Sequence, residues 1–497
     1  MSREAVAMLL SDGYKQVHAE QYPKGTTQLV SYLTPRKSRL KCWDKMVLFG
    51  VQAFCKTYLI DYFNANFFCL PIDEVMARYE RVVDVMLGSQ NYDATKIIEL
   101  HKLGYLPIRI DALPEGTLVP MHVPCVRITN THPNFAWVVQ FIESLLSSEL
   151  WKPCIHANVG YSYRQIVDKH FDKSVDDNFP HHKAISDFGF RGMSCMQEAT
   201  KASASWLLSF SGTATIPAIP YLERYYNCDC TKELVGTNAI STEHSVMASN
   251  FSVDGDEITF IKRLLTEIYP NASFSMVSDT YDYWNLVDNI LPQVKDEIMN
   301  HNGKLLVRPD SGNIIDISVQ TIEHLWNIFG GTINSKGYKV LDPHIGCVYG
   351  DGVTQQRADK IYTELENRGF AANNIVFGAG SFSFNCIEEE DGTLAPFTRD
   401  TFSVAIKATH GLVGDKEIFI FKDPKTDKVE GQNFKKSQKG LCHVYEENGE
   451  IKCQDGYTFE TLPKEPESLF QLVFMDGLMR NQCTLQEVRD RLHGGKF

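Results

Sequence analysis

Between residues 183 and 410 the chain alternates apolar runs with amphipathic segments, and this alternation limits the fold more than any other feature. Apolar runs at 183–188, 209–215, 239–242, 274–279, 304–310, 345–350, 374–380 and 403–410 have the length of buried strands. The segments 197–208, 258–268, 284–299, 316–328 and 353–368 carry apolar residues at three- and four-residue spacing, which predicts helices. Eight strands alternating with helices predict an α/β fold built on a (β/α)8-type barrel, with a doubly wound open sheet as the structural alternative.

The flanks read differently. Strands are expected at 27–32 and 106–111, and a bent ribbon over 118–131, broken by Pro120 and Pro124. A helix is expected at 49–63, short β pieces beyond 419 such as 440–445, and a last amphipathic helix near 485–492. The expected organisation is a barrel domain over 183–410 and a second α+β domain formed from both termini, 1–182 with 411–497.

Composition narrows the function. The 49 basic and 62 acidic residues give a net charge of −13, which argues against a general nucleic-acid or membrane surface but allows a local basic pocket. Thirteen scattered cysteines without a C-x-x-C pair give little support to a zinc site or a disulfide framework and suit a reducing cytosol. No apolar run reaches the roughly 18 residues of a membrane span, and no signal peptide is visible, so a cytoplasmic protein is expected.

Polar residues cluster just after successive strands, the face on which barrels of this class carry their sites. Asp187 to Gly192 follow the first run, Ser211-Gly212-Thr213 end the second, and Glu243-His244-Ser245 follow the third. Ser278-Asp279, Arg308 with Asp310, Gly350-Asp351-Gly352 and Gly378 to Ser381 end the next four. Arg308 and Arg191 offer planar forks of donors to phosphate. Gly350, Gly352, Gly378 and Gly380 allow close backbone approach, so that amides can cradle an anion. Asp279, Asp310 and Asp351 can take ribose hydroxyls, Mg²⁺ or an imidazolium. Phe188 offers a ring face, with a core aromatic as the bland reading. His244, beside an acidic residue, can titrate or act as a nucleophile.

With these motifs placed, the chain resembles the nicotinamide phosphoribosyltransferases, among the type II phosphoribosyltransferases. The resemblance runs from Ser11-Asp12-Gly13-Tyr14-Lys15 through Phe49-Gly50-Val51-Gln52, Asp187 to Gly192, Glu243-His244-Ser245, Arg308 to Asn313 and Thr398-Arg399-Asp400 to Phe421-Lys422-Asp423-Pro424. It implies transfer of a phosphoribosyl group from 5-phosphoribosyl 1-pyrophosphate to nicotinamide, in NAD salvage, by a homodimer with shared sites, the terminal domain contributing to dimerisation. It also implies Mg²⁺, and ATP as co-substrate phosphorylating His244. Phe188 and Tyr14 of the partner subunit would sandwich the pyridine, with Arg191 lining its pocket. Asp310 would hold the ribose, and Asp279 would support His244. Arg308, Gly350, Asp351, Gly380 and Ser381 would hold the sugar and 5′-phosphate. Arg36, Arg399 and Lys407 match positions that take pyrophosphate or ATP phosphates, and Lys422 belongs to a basic segment near the nucleotide.

Three departures stand out. Ala214 replaces an aspartate that accepts from the carboxamide in the family, and its loss weakens rejection of a carboxylate. Asn238 stands where serine is common near the ring pocket, and Ser381-Phe382 follow Gly380 instead of further glycines. An acidic insert, Glu388-Glu389-Glu390-Asp391, reads as a solvated loop. Ala214 keeps nicotinate phosphoribosyltransferase as the rival reading. A non-catalytic ligand-binding dimer is the rival from another class, opposed by the joint presence of His244, Asp279, Arg308, Asp310 and Asp351.

Overall fold

The structure, a computed structural model, describes residues 4–389, 391–422, 437–463 and 468–497. Glu390 of the acidic insert and the Asp423-Pro424 motif lie outside these residues. The chain divides into two compact units. The first comprises Met1–Ile155, Arg224–Asn227 and Thr398–Gly495; the second comprises His156–Glu223, Cys228–Phe397 and Lys496–Phe497.

The second unit is built on seven parallel strands: β1 (Ile185–Asp187), β2 (Gly212–Thr213), β3 (Ile240–Ser241), β4 (Phe274–Val277), β5 (Leu305–Arg308), β6 (Ile345–Tyr349) and β7 (Ile375–Ala379). Their order in the sheet is β2-β1-β7-β6-β5-β4-β3. Leu305, Val307, Ile345, Cys347, Ile375 and Phe377 are wholly buried, the near-continuous apolar reading of a parallel sheet covered on both faces. The edge strand β2 is bridged to Thr237, just before β3: Thr213 N donates to Thr237 O at 2.8 Å, and Thr237 N donates to Ser211 O at 2.7 Å. The sheet therefore curls until the segment leading into β3 is bridged to β2. Helices such as Met196–Trp206, Ile314–Phe329 and Gln355–Asn367 alternate with the strands.

The eighth expected strand corrects the reading. Residues 403–410 do not enter the parallel sheet. Ala405–Val413 instead pairs antiparallel with Thr26–Thr34 in the first unit, Lys407 opposite Tyr32 and His410 opposite Val30. The reason lies in the connection. A parallel neighbour needs a crossover, usually a helix. Between β7 and Ala405 the described residues supply the four-residue helix Phe382–Asn385, a small hairpin, Cys386–Glu388 against Leu394–Pro396, and the short turn Arg399–Thr401, but no crossover helix.

The first unit carries a seven-stranded antiparallel sheet in the order Lys416–Phe419, Ala405–Val413, Thr26–Thr34, Val126–Asn130, Ile108–Ala112, Gln471–Met475, Leu478–Met479. Glu115 ties distant segments of this unit together. Its buried carboxylate accepts from Gly50 N at 2.8 Å, Gln52 N at 2.6 Å and the Tyr226 hydroxyl at 2.7 Å. Gln52 Nε2 donates onward to Tyr225 O and Cys483 O. The short segment Arg224–Asn227 joins this unit through these bonds.

Candidate active site

The parallel register of the second unit brings the carboxyl ends of β1 to β7 to one face. Six of these ends, β1 and β3 to β7, carry most of the chemistry read from the sequence, and the sheet order sets which residues are neighbours.

At β1, Asp187 is buried and fully engaged. It accepts from Gly189 N at 2.7 Å and from the hydroxyls of Thr213 and Thr215, both at 2.9 Å. Burial pushes its carboxyl above the ordinary range, and these donors pull it back. One carboxylate thus joins the turn after β1 to the turn after β2. Ala214 lies in that second turn, its amide donating to Asp187 O at 2.8 Å. With both carboxylate oxygens taken, Asp187 does not replace the acceptor missing at Ala214. Asn238 is exposed one residue beyond the Thr237 bridge.

Phe188, half-buried, donates its amide to Ala379 O at 2.8 Å, and its ring lies on the backbone of β6 and β7. A Cβ at Gly378 would sit 2.2 Å from the ring, and one at Gly350 would sit 2.8 Å from it. These two glycines therefore serve the ring in the structure, where the sequence suggested an anion cradle. Gly380 keeps open space on its side-chain face. Arg191 is exposed on the turn Phe190–Gly192, and that turn closes on Ser381, whose hydroxyl lies where a Cβ at Gly192 would fall.

The ends of β3, β4 and β5 form a second cluster around Asp279. Asp279 Oδ2 accepts from Asp310 N at 2.9 Å and from the Ser311 hydroxyl at 2.6 Å. Its Oδ1 is buried with no hydrogen-bond partner, 3.9 Å from His244 Nε2. His244 starts the helix His244–Asp254, half exposed, with Nδ1 hydrogen-bonded to Thr280 Oγ1 at 3.1 Å. Arg308 donates from Nη2 to Thr242 O at 3.0 Å, while its Nε is buried and unpartnered. Gly312, at φ +91°, makes the turn that follows, and Asn313 Oδ1 then accepts from Ile315 N and Asp316 N to cap Ile314–Phe329.

Tyr349, at the end of β6, lies between the clusters. Its phenol is pushed up to about 12 by burial and by the charges of Asp351, Asp310 and Asp279. Three carboxylates therefore bear on this centre. Among the described residues no group of three or more His, Cys, Asp or Glu side chains is placed to hold a metal ion by itself.

Thr280, Thr242, Tyr349 and Thr215 were not singled out in the sequence. Thr280 was detectable in principle, because it directly follows Asp279 at a strand end.

The first unit holds the other expected residues, in separate groups. Arg36 donates from Nε to Ser403 O at 3.2 Å and is held below its usual value by burial and by Arg399. Arg399 lies 3.8 Å from Asp400. Arg36 also lines a cavity of about 280 Å³ with Thr34, His122, Ser437, Gln438 and Asp455. Lys422 N donates to Ser437 Oγ at 2.8 Å. Lys407 does not join the arginines; its ammonium is 3.4 Å from Glu143, which also takes the buried Lys15 at 2.5 Å. Tyr14 is exposed beside this pair, its ring beneath the Lys15 ammonium at 5.4 Å.

No helix among the described residues is long and apolar enough to cross a membrane.

Comparison with known proteins identifies the family. The sequence model of the nicotinate phosphoribosyltransferase (NAPRTase) family matches residues 183–461, and that of the nicotinamide phosphoribosyltransferase N-terminal domain matches residues 6–110. The nicotinamide phosphoribosyltransferase of Acinetobacter baylyi is 37% identical, covering 97% of this chain and 96% of its own. That of Mycoplasma pneumoniae is 31% identical over 84% of this chain and 92% of its own. Among solved structures, human nicotinic acid phosphoribosyltransferase superposes with a TM-score of 0.58 at 15% identity, covering 97% of this chain and 92% of that one, a likeness of fold. The chain belongs to the nicotinate phosphoribosyltransferase (NAPRTase) family of pentosyltransferases, and among its members to the nicotinamide phosphoribosyltransferases.

Proposed function

We propose that this enzyme transfers the phosphoribosyl group of 5-phosphoribosyl 1-pyrophosphate to nicotinamide, releasing nicotinamide mononucleotide and pyrophosphate. The observation that supports this most is the pairing, on one strand-end face, of a flat apolar ring with a cationic and an acidic cluster. A pyridine and a sugar phosphate need those two environments side by side.

In this reading the pyridine stacks on the exposed side of Phe188, which holds a weak nucleophile at the height of the anomeric carbon. The nitrogen–carbon bond forms as the carbon–oxygen bond to pyrophosphate breaks, and positive charge builds on the sugar. Asp279, Asp310 and Asp351 supply fixed negative charge where that cation develops. Arg308 supplies the guanidinium for the sugar phosphate, and Gly380, with open space on its side-chain face, lets backbone amides approach it. Mg²⁺ fits as a passenger on the pyrophosphate, since it takes one or two carboxylates and keeps its remaining positions for substrate oxygens and water. Asp310, Asp351 and the unpartnered oxygen of Asp279 are hard donors of that kind. Bound there, the ion would stabilise the leaving group's charge.

ATP phosphorylating His244 belongs to the same proposal: a nitrogen–phosphorus bond forms as the γ-phosphoryl bond breaks, and ADP leaves. The phosphoryl group would add negative charge beside the developing cation. Arg36, Arg399 and Lys422 are the cations for the ATP or pyrophosphate phosphates, and Tyr14 of the partner subunit would cover the ring in a homodimer acting in the cytoplasm.

Incubating the purified protein with nicotinamide, 5-phosphoribosyl 1-pyrophosphate, Mg²⁺ and ATP tests the reading. Stoichiometric pyrophosphate and nicotinamide mononucleotide are expected. Ligand binding without pyrophosphate release would point to the non-catalytic dimer.

A further inference from the structure

We infer that Gly378 and Gly350 are positioning residues for the pyridine ring: they lack a Cβ so that one edge of the Phe188 ring can rest on the ends of β6 and β7. This rests on the reading of Phe188 as the stacking platform and goes beyond it by naming what sets the platform's height.

The geometry is specific. A Cβ at Gly378 would fall 2.2 Å from both Cδ2 and Cε2 of Phe188 and 3.0 Å from Cγ. One at Gly350 would fall 2.8 Å from Cε2 and 3.0 Å from Cδ2. One ring edge therefore rests on two neighbouring strands, and carbon atoms do not approach this closely. Neither glycine has a positive φ, so alanine fits both backbones without strain and only the space above them is at issue.

The ring has no easy retreat. Phe188 is tied through its amide to Ala379 O, and the preceding Asp187 is held by Gly189, Thr213 and Thr215. An added methyl must push the ring outward, into the space where the substrate ring would stack. Gly380 differs, with nothing within 4 Å of its Cβ position. The glycine-rich strand end thus divides its labour: Gly378 and Gly350 seat the protein's ring, and Gly380 stays open to the sugar phosphate.

Steady-state kinetics on Gly378→Ala, Gly350→Ala, Phe188→Ala and the double variant Gly378→Ala/Phe188→Ala test this. Gly378→Ala is expected to raise KM for nicotinamide roughly tenfold, the scale of one lost aromatic contact. KM for 5-phosphoribosyl 1-pyrophosphate should change less than about twofold, since Gly380 and Arg308 are untouched. The double variant should be no worse than Phe188→Ala alone, because the methyl then has no ring to displace. If the rise falls instead on the sugar phosphate, or the two effects multiply, the inference is overturned. Should Gly378→Ala fail to fold, Gly350→Ala carries the same test with a milder clash. Phe188→Ala separates the two levels. An unchanged nicotinamide KM there sinks the platform reading itself, whereas a rise there with none in the glycine variants sinks only this inference.

Discussion

Asp279 shows how one side chain couples two parts of the site. One oxygen holds the Asp310 amide and the Ser311 hydroxyl, fixing the turn after β5; the other faces His244 from 3.9 Å with no other partner. Asp279→Ala would leave a buried amide without an acceptor and should cost about 1–3 kcal/mol of stability, read as a lowered Tm. Asp279→Asn keeps an acceptor for the turn and loses the negative charge. It should fold normally and lose about 10²-fold or more in ATP-driven rate. Equal losses of stability in both variants would contradict the division of roles. His244→Ala should abolish ADP release while leaving some ATP-independent synthesis, and a surviving ATPase would remove the phosphohistidine from the proposal. At this scale the sequence was readable where a polar residue directly follows an apolar run, as for His244, Asp279 and Arg308. Tyr349 was hidden because a buried strand tyrosine looks like core. Thr242 was hidden because a strand-end threonine carries no signal until its partner Arg308 is known.

Between elements, the helices Glu143–Ser174 and Gln355–Asn367 are fastened by His170. Its Nδ1 lies 2.8 Å from Glu366 and its Nε2 3.0 Å from Asp359, with Lys173 and Lys169 on the same carboxylates. Both ring nitrogens thus face carboxylates of Gln355–Asn367. Truncating His170 to Ala should cost about 1–3 kcal/mol, because it strips one partner from the buried Glu366. Burial raises the Asp359 carboxyl, but Lys169 and His170 outweigh burial and hold it below its ordinary value. A depressed folded value contributes stability above the unfolded value and loses it as pH falls through the folded one. The Tm gap between the native protein and Asp359→Asn should therefore shrink below about pH 4; a gap independent of pH would contradict this.

The strands of the parallel sheet were legible from apolar runs and their spacing. The eighth was not, because an apolar run does not state which sheet it joins. That depends on the connection, and a hairpin after β7 cannot make a parallel crossover. The 284–299 segment read as one helix, yet it is built as Tyr283–Asn285, Leu286–Ile290, Leu291–Gln293 and Lys295–Met299. Periodicity reports the buried face and not the hydrogen-bond spacing along it.

For the whole molecule, the proposed dimer has a direct consequence. If Tyr14 of the partner subunit covers the ring on Phe188, then Tyr14→Ala and Phe188→Ala defects lie in different subunits of one site. Co-expressing the two variants with different tags and isolating the mixed dimer should restore activity, since one of its sites is intact. No recovery would show that each site is complete within one subunit. Acceptor selectivity is also decided at this scale. Ala214 removes a local carboxylate, and Asp187 cannot replace it, since its oxygens are already engaged. The field of Asp279, Asp310 and Asp351, felt at Tyr349, still disfavours a second anion nearby.

The most direct test of this account is the ratio of kcat/KM for nicotinamide over nicotinic acid, measured with 5-phosphoribosyl 1-pyrophosphate, Mg²⁺ and ATP. The account predicts a preference for nicotinamide of at least about tenfold, or roughly 1.4 kcal/mol in transition-state binding. Equal use of both, or a preference for nicotinic acid, would contradict it and show that the change at Ala214 governs the choice of acceptor.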